Sequence, residues 1–282
     1  MQAARGCRTI LGITVMNVTL RLVAMAVALS VGGAASATLP FAVRYESEAV
    51  GVQNTTATFS VGGVETFESR PLGFGGFTTD FGTGGSITGT YSADTRILPA
   101  DQYGGAGGTG QYPVTFSNTG YSLDLSSTLP HGVNYFGYWL SALDRGNQVT
   151  FYSKGRLLFT FDPSDVIAAV NSHADAANYY GNPNPSFLHN NSGEPYIFLD
   201  FFSNDRPFDK VVFAENPQVG GYESDNHTVG HFLTKGTGTD VPLSPGSFPG
   251  AVPEPATWAL MLAGFGLVGG AVRRREARVV AA

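Results

Sequence analysis

Between residues 56 and 233, short apolar runs alternate with polar positions at a period of two, and turn residues separate them. Successive side chains of a strand point to opposite faces, so this pattern predicts half-buried strands. The segments Thr56–Val61, Ser86–Tyr91, Tyr112–Phe116, Tyr121–Leu125, Asn134–Leu143, Gln148–Tyr152, Arg156–Phe161, Tyr196–Phe202, Asp209–Ala214 and Thr228–Leu233 all read this way. Gly62-Gly63, Asn118-Thr119-Gly120, Arg145-Gly146-Asn147 and Lys154-Gly155 supply hairpin chemistry between them. Strands at this spacing predict an all-β fold, a β-sandwich or jelly-roll-like domain over residues 38–243. No internal repeat points to a solenoid.

Asn134–Leu143 departs from simple alternation. Tyr135, Gly137 and Trp139 share one face while Phe136, Tyr138 and Leu140 share the other. Two apolar faces predict a central strand covered on both sides, or one whose outer face carries an aromatic platform; Trp139 with Tyr138 is the candidate ligand-binding pair, since flat rings stack on sugars. One short helix follows the strand Arg156–Phe161: Asp162 caps it, Pro163 suits its first position, and Val166, Ile167 and Val170 share a face that plugs one end of the sandwich. His173 to Gly193 is polar and rich in Asn, Pro and Gly, which predicts a long surface loop. Residues 244–251, with Pro245 and Pro249, read as a linker.

The two ends break the pattern. Arg21 precedes the apolar run Leu22–Gly33, and Ala35-Ser36-Ala37 follows with the small-residue spacing that signal peptidase reads, so residues 1–37 are expected to be a secretory signal peptide cleaved before Thr38. Ala256–Val272 holds 17 residues without a charge. As a helix it spans roughly 25 Å, slightly less than a hydrocarbon core of about 30 Å. Trp258 stands where an interfacial aromatic anchors the outer edge, and Arg273, Arg274 and Arg275 place the C-terminus in the cytoplasm. Val252-Pro253-Glu254-Pro255 forbids helix at the entry and leaves an extended peptide that a protease can grip.

Composition supports this division. Thirty-seven Gly, 20 Phe and 12 Tyr against 13% charged residues favour sheet and turns over helix bundles or disorder. The net charge of −6 hides an asymmetry, because seven of 16 basic residues and one of 22 acidic residues lie in the ends; residues 38–272 carry nine basic and 21 acidic groups, a net of −12. Such a surface repels nucleic acid. The single cysteine, Cys7, lies upstream of the expected cleavage point, so disulfides, thiolate metal sites and Cys nucleophiles are excluded from the mature domain.

Few residues suggest chemistry. His227 and His231 have the i, i+4 spacing of a shared helix face, but Asn226-His227-Thr228-Val229-Gly230-His231-Phe232 favours a strand, which puts them about 13 Å apart. Asp200, Asp205, Asp209, Glu223 and Asp225 fall near expected strand ends and are the candidate ligands of a structural Ca²⁺; no other cofactor is expected. A glycosidase needs two carboxylates facing across a cleft, and a serine hydrolase elbow is missing. Gly104-Gly105-Ala106-Gly107-Gly108-Thr109-Gly110 lacks the Lys of a phosphate loop and reads as a flexible loop. The threonines at 78, 79, 83, 88 and 90 do not form the regular ranks of an ice-binding face.

Pro253-Glu254-Pro255, Trp258-Ala259, Gly264-Phe265-Gly266 and Arg273-Arg274-Arg275 together resemble the PEP-CTERM sorting signal, over residues 252–276 with its membrane helix at 256–272. Such tails are also labelled after the C-terminus of an ice-binding protein, a label that implies nothing about ice. The resemblance implies export, transient anchoring in the membrane, recognition by exosortase near Pro253, Glu254 and Pro255, and delivery to the cell surface or extracellular matrix. Asn134–Trp139, Phe208–Phe213 and Tyr222–Asn226 also look like passenger domains that accompany this tail, which resemble carbohydrate-binding-module-like sandwiches. The expected function is a non-enzymatic surface protein associated with extracellular polysaccharide. The alternatives are a secreted polysaccharide hydrolase with paired carboxylates and a purely structural coat protein.

Overall fold

The computed structural model describes residues 39–46, 53–116, 119–217, 220–249 and 261–267. The chain divides into a leading unit, Met1–Ala37, and a second unit from Thr38 onward. The expected signal peptide lies outside the described residues.

Within the second unit the described residues form two antiparallel sheets. Their strands are β1 (Phe41–Tyr45), β2 (Thr58–Glu65), β3 (Gly73–Phe74), β4 (Phe77–Asp80), β5 (Ile87–Tyr91), β6 (Arg96–Pro99), β7 (Gln111–Phe116), β8 (Tyr121–Ser127), β9 (Tyr135–Ser141), β10 (Asn147–Ser153), β11 (Arg156–Thr160), β12 (Ile197–Ser203), β13 (Lys210–Glu215), β14 (Gly221–Thr234) and β15 (Thr239–Asp240). One sheet has the order β15-β1-β12-β9-β14-β7-β6-β3, with β2 also paired to β14; the other runs β11-β10-β13-β8-β5-β4. The protein is therefore an all-β sandwich. Each segment that the alternation marks as a strand overlaps an observed one. β1, β3, β4, β6, β15 and the first half of β14 go beyond that reading, and several of these are short strands beside glycines, where few residues carry the period.

The core between the sheets is aromatic. Phe41, Phe151, Phe159, Phe201 and Phe213 belong to one buried cluster with Tyr121, Phe136 and Tyr138. Tyr121 and Phe213 stack at 4.4 Å, and Phe41 and Phe159 at 4.8 Å. β9 is central, between β12 and β14, and its faces divide as the period requires. Phe136, Tyr138 and Leu140 join the inter-sheet core, whereas Trp139 packs with Ala142, Tyr196 and Phe198, and Tyr135 with Ala57 and Phe202, on the opposite side.

That opposite side is closed by loops, which explains two departures from expectation. Residues 173–193 are not simply a surface loop: Tyr179, Asn182 and Asn184 are buried. The Gln102 carbonyl accepts from Asn182 Nδ2 at 2.9 Å, Asn191 Nδ2 at 2.9 Å and the Tyr196 hydroxyl at 2.8 Å, tying this segment to the glycine-rich one. The glycine-rich segment is likewise packed. A side chain at Gly104 would strike the Tyr112 ring, and Asp101 Oδ1 accepts from the amides of Tyr103 and Gly104 and from the Tyr112 hydroxyl. Close approach, not flexibility or phosphate binding, accounts for glycine at 104.

The helix α1 (Pro163–Asn171) starts as its sequence predicts, with Asp162 accepting from the Ser164 amide at 2.9 Å. Val166, Ala169 and Val170 are buried in the main core. α1 also holds the following segment. Asp165 accepts from the Ser244 amide at 2.8 Å and the Ser244 hydroxyl at 2.5 Å, and Phe248 meets Phe159 at 5.3 Å. Residues 244–249, expected as linker, are thus docked on the domain because Phe248 finds an apolar seat. Pro253 follows Pro249 by only four positions, an extended reach of at most about 14 Å.

Gly63 in β2 marks a close contact between the layers, since an added Cβ would lie 2.5 Å from the Phe81 carbonyl oxygen. Backbone cannot rotate out of the way as a side chain can. Gly63→Ala is expected to destabilise the domain by about 2 kcal/mol, read from the midpoint of urea unfolding. An unchanged midpoint would show that the two layers separate freely there.

Candidate functional site

The outer face of the six-stranded sheet is the accessible one. In β8, β13 and β10, Leu123, Val211 and Phe151 point into the core, so Ser122 and Asp124, Lys210 and Val212, and Thr150 and Tyr152 point outward. Register aligns these across the strands. Thr78 pairs with Thr90, Thr90 with Asp124, Asp124 with Lys210, and Lys210 with Tyr152. The result is one row of side chains over five strands, roughly 20 Å long at about 4.8 Å per strand. Thr78 and Thr90 hydroxyls lie 3.4 Å apart, and Lys210 Nζ lies 3.0 Å from Asp124 Oδ1.

At one end the row opens into a shallow trough of about 580 Å³ lined by Asp124, Leu125, Tyr152, Gly155, Asp209, Lys210 and Val212. Asp209 is held in place by the backbone beside it. Its Oδ2 accepts from the Lys154 amide at 2.7 Å and stabilises the β10–β11 turn, where Lys154 has φ +50°. The trough joins hydrogen-bonding groups to the partly exposed phenol ring of Tyr152. That combination suits hydroxylated ligands with one apolar face. Single-strand reading misses this row, because its members are scattered between Thr78 and Lys210 and only alternation, without register, is local.

The candidate aromatic pair lies elsewhere. Tyr138 is 0% and Trp139 1% exposed, on opposite faces of β9. Neither presents a ring to a ligand, because the inter-sheet core covers one and the loops around Ala106 and Tyr196 cover the other. An aromatic platform on β9 is thus corrected to a doubly covered central strand.

The five candidate calcium ligands are dispersed. Asp200 is buried in mid-strand and accepts the Tyr135 hydroxyl at 2.5 Å. Asp205 is exposed and pairs with Arg206 at 3.1 Å. Glu223 and Asp225 share the outer face of β14 beneath the glycine-rich loop, where Asp225 accepts from the amides of Ala106 at 2.7 Å and Asn226 at 2.6 Å. Among the described residues, no group of three His, Cys, Asp or Glu is placed to hold a metal ion. Glu223 and Asp225 do not face each other across a cleft either, being neighbours on one strand, 6% and 2% exposed. Burial pushes the Asp200 and Asp225 carboxyls up to about 7 and that of Glu223 up to about 8.

His227 and His231 also part company. His227 is in the aromatic core, its Nδ1 3.0 Å from the Tyr91 hydroxyl and its Nε2 2.9 Å from Ser224 Oγ. His231 reaches the rim of the sandwich. Just before His227, β14 changes partner on one edge, from β7 to β2, past a bulge where Asn226 has φ +49°, and both histidines then lie on the stretch paired with β2.

Of the C-terminal segment, residues 261–267 are described and form an exposed helix. Among the described residues no helix is long and apolar enough to cross a membrane, and most of the span expected at 256–272 lies outside them. Pro253, Glu254, Pro255, Trp258, Arg273, Arg274 and Arg275 are outside the described residues too.

Residues 251–275 match the PEP-CTERM protein-sorting motif. The chain therefore carries an exosortase sorting signal, which marks it as an exported protein of the surface or extracellular space. No curated protein matches the chain. Among solved structures, the K2 cleaved adhesin domain of Lys-gingipain is similar over 61% of this chain and 99% of that one, at 16% identity and a TM-score of 0.33, which is too remote to bear on function.

Proposed function

We propose that the chain is a non-enzymatic surface protein whose sandwich associates with extracellular polysaccharide after signal peptidase has removed residues 1–37 and exosortase has cut the tail from its transient membrane anchor. The observation that carries the reading is the sorting motif at 251–275, which begins two residues after the docked Pro249. The row Thr78, Thr90, Asp124, Lys210 and Tyr152 supports the binding surface, since hydroxyl, carboxylate and ammonium groups along about 20 Å match the repeating hydroxyls of an extended glycan. A net charge of −12 over residues 38–272 favours a neutral polysaccharide over a polyanion and speaks against nucleic acid.

Two measurements test this. Mass spectrometry of the protein from native cells and from cells lacking exosortase should find the tail removed only in the former; identical masses overturn the sorting step. Arrays of neutral glycans probed with the secreted protein should give binding that falls roughly tenfold in Tyr152→Ala and in Lys210→Ala, about 1.4 kcal/mol each. Surface accumulation without glycan binding would instead favour a coat protein.

A further inference from the structure

The rim pocket next to His231 has no part in the sorting or polysaccharide reading. It has a volume of about 430 Å³, and its lining includes His131, Asn134, Ser203, Asp205, Arg206 and His231. Three chain segments meet there and are fixed to one another. Ser203 donates its amide to Asn134 O at 2.8 Å, Phe208 donates to Val133 O at 3.0 Å, and Asn134 donates to Gly230 O at 3.2 Å. Asn134 Oδ1 accepts from the Phe232 amide at 2.9 Å. Backbone ties and the Asn134 side chain therefore fix the segments that build the pocket.

Two imidazoles face each other in it. The rings of His131, from the β8–β9 connection, and His231, from β14, have centroids 5.8 Å apart and planes inclined by 34°. His231 Nδ1 lies 3.0 Å from the Gly132 carbonyl oxygen. A carbonyl can only accept, so Nδ1 carries the proton and Nε2 is left with its lone pair. This is the arrangement that prepares an imidazole to ligate: the second nitrogen is oriented and its tautomer set by a backbone carbonyl. Gly132 adopts φ +65°, a turn that carries this carbonyl past His131. Among the described residues, no hydrogen bond occupies the His131 ring.

We infer that His131 and His231 form a binding site for a late first-row divalent transition ion, zinc, copper or nickel, held by two imidazole nitrogens and completed by water. With metal–nitrogen bonds of about 2.0–2.1 Å, two imidazoles on one tetrahedral ion place their centroids about 5 to 6 Å apart, which matches the separation observed. Imidazole donors select these metals over calcium or magnesium, which require oxygen shells. Asp205 pairs with Arg206, and among the described residues no third acidic or imidazole group joins the two rings, so the ion keeps open positions. The acidic domain draws cations to such a rim. The strand reading of residues 226–232 rules out His227 as a partner for His231; the tertiary structure pairs His231 instead with a residue 100 positions away.

Titration of the full secreted protein with Cu²⁺, Ni²⁺ and Zn²⁺ by calorimetry tests the inference. One ion per chain should bind with micromolar affinity, and His131→Ala and His231→Ala should each weaken it at least tenfold, while His173→Ala leaves it unchanged. The electron paramagnetic resonance spectrum of the Cu²⁺ form should show coupling to two imidazole nitrogens in the native protein and to one in His131→Ala. Because His131 is exposed, its variant keeps the fold, and an unaltered melting temperature verifies this. Native-like affinity in either rim variant, or a two-nitrogen spectrum that persists in His131→Ala, overturns the site.

Discussion

Raising the pH from about 5 to about 8.5 lowers the stability of the sandwich by several kcal/mol, opposite to the trend of a protein whose carboxylates are salt-bridged. Asp200, Glu223 and Asp225 are buried, and desolvation pushes their carboxyls up to about 7, 8 and 7. In the unfolded chain such groups lose their protons near pH 4. Between about pH 4 and about pH 8 the folded state therefore binds more protons than the unfolded one, so stability is full below that window and is lost as pH rises through it. His227 opposes this at the acid end. Burial lowers it to about 3, so its contribution is present above about pH 6.5 and is lost as pH falls from there towards 3. Three groups outweigh one, so stability falls throughout the range from about pH 5 to about pH 8.5, and the maximum set by these four groups lies near or below about pH 4. Thermal unfolding across this range should show a fall of roughly 10 °C towards alkaline pH. Glu223→Gln and Asp200→Asn, which keep shape and an acceptor oxygen, should flatten the slope. A melting temperature that is level from about pH 5 to 8.5 in the native protein would show that these carboxyls are not protonated in the fold.

Replacing His227 with Ala removes about 5 kcal/mol, enough to leave a domain of ordinary stability barely folded. Its ring stacks on Phe213 at 5.0 Å and meets Phe67 at 4.9 Å and Phe136 at 5.3 Å edge-on, so truncation opens a cavity in the centre of the core. It also strips partners from two hydroxyls. Tyr91 loses its contact at 3.0 Å, and Ser224, itself 2.9 Å from the Tyr121 hydroxyl, loses one at 2.9 Å. A neutral imidazole has one donor and one acceptor, which is what a buried chain of hydroxyls needs to satisfy each member. The double variant His227→Ala, Tyr91→Phe isolates this effect. Removing the orphaned hydroxyl should recover about 1 to 2 kcal/mol, whereas Tyr91→Phe alone should be destabilising. Strictly additive denaturation midpoints would mean that the histidine acts by packing alone.

Much of the strand content was legible because alternation is a local property. Leu123, Val149, Phe151, Val211 and Phe213 sit on the inner face that their period assigns, and Asp162 caps α1 as read. The candidate sites fared differently. Trp139 and Tyr138 looked available because nothing near them in sequence covers them; the covering segments lie around residues 101–110 and 173–196. The acidic residues from Asp200 to Asp225 looked grouped because they are close in sequence, yet sheet pairing sends Asp200 to one strand and Glu223 to another, while Asp205 stays in a turn.

The sequence by itself determined the sandwich class, the facing of β9 and the sorting tail, since periodicity, proline placement and a charged end after an apolar run act over a few consecutive residues. Register, loop closure and burial were decided only by the tertiary structure. They set the row from Thr78 to Tyr152, the burial that raises the carboxyls of Asp200, Glu223 and Asp225, and the meeting of His131 with His231, because each joins groups tens of residues apart whose proximity depends on how the strands pair and which loops close over them.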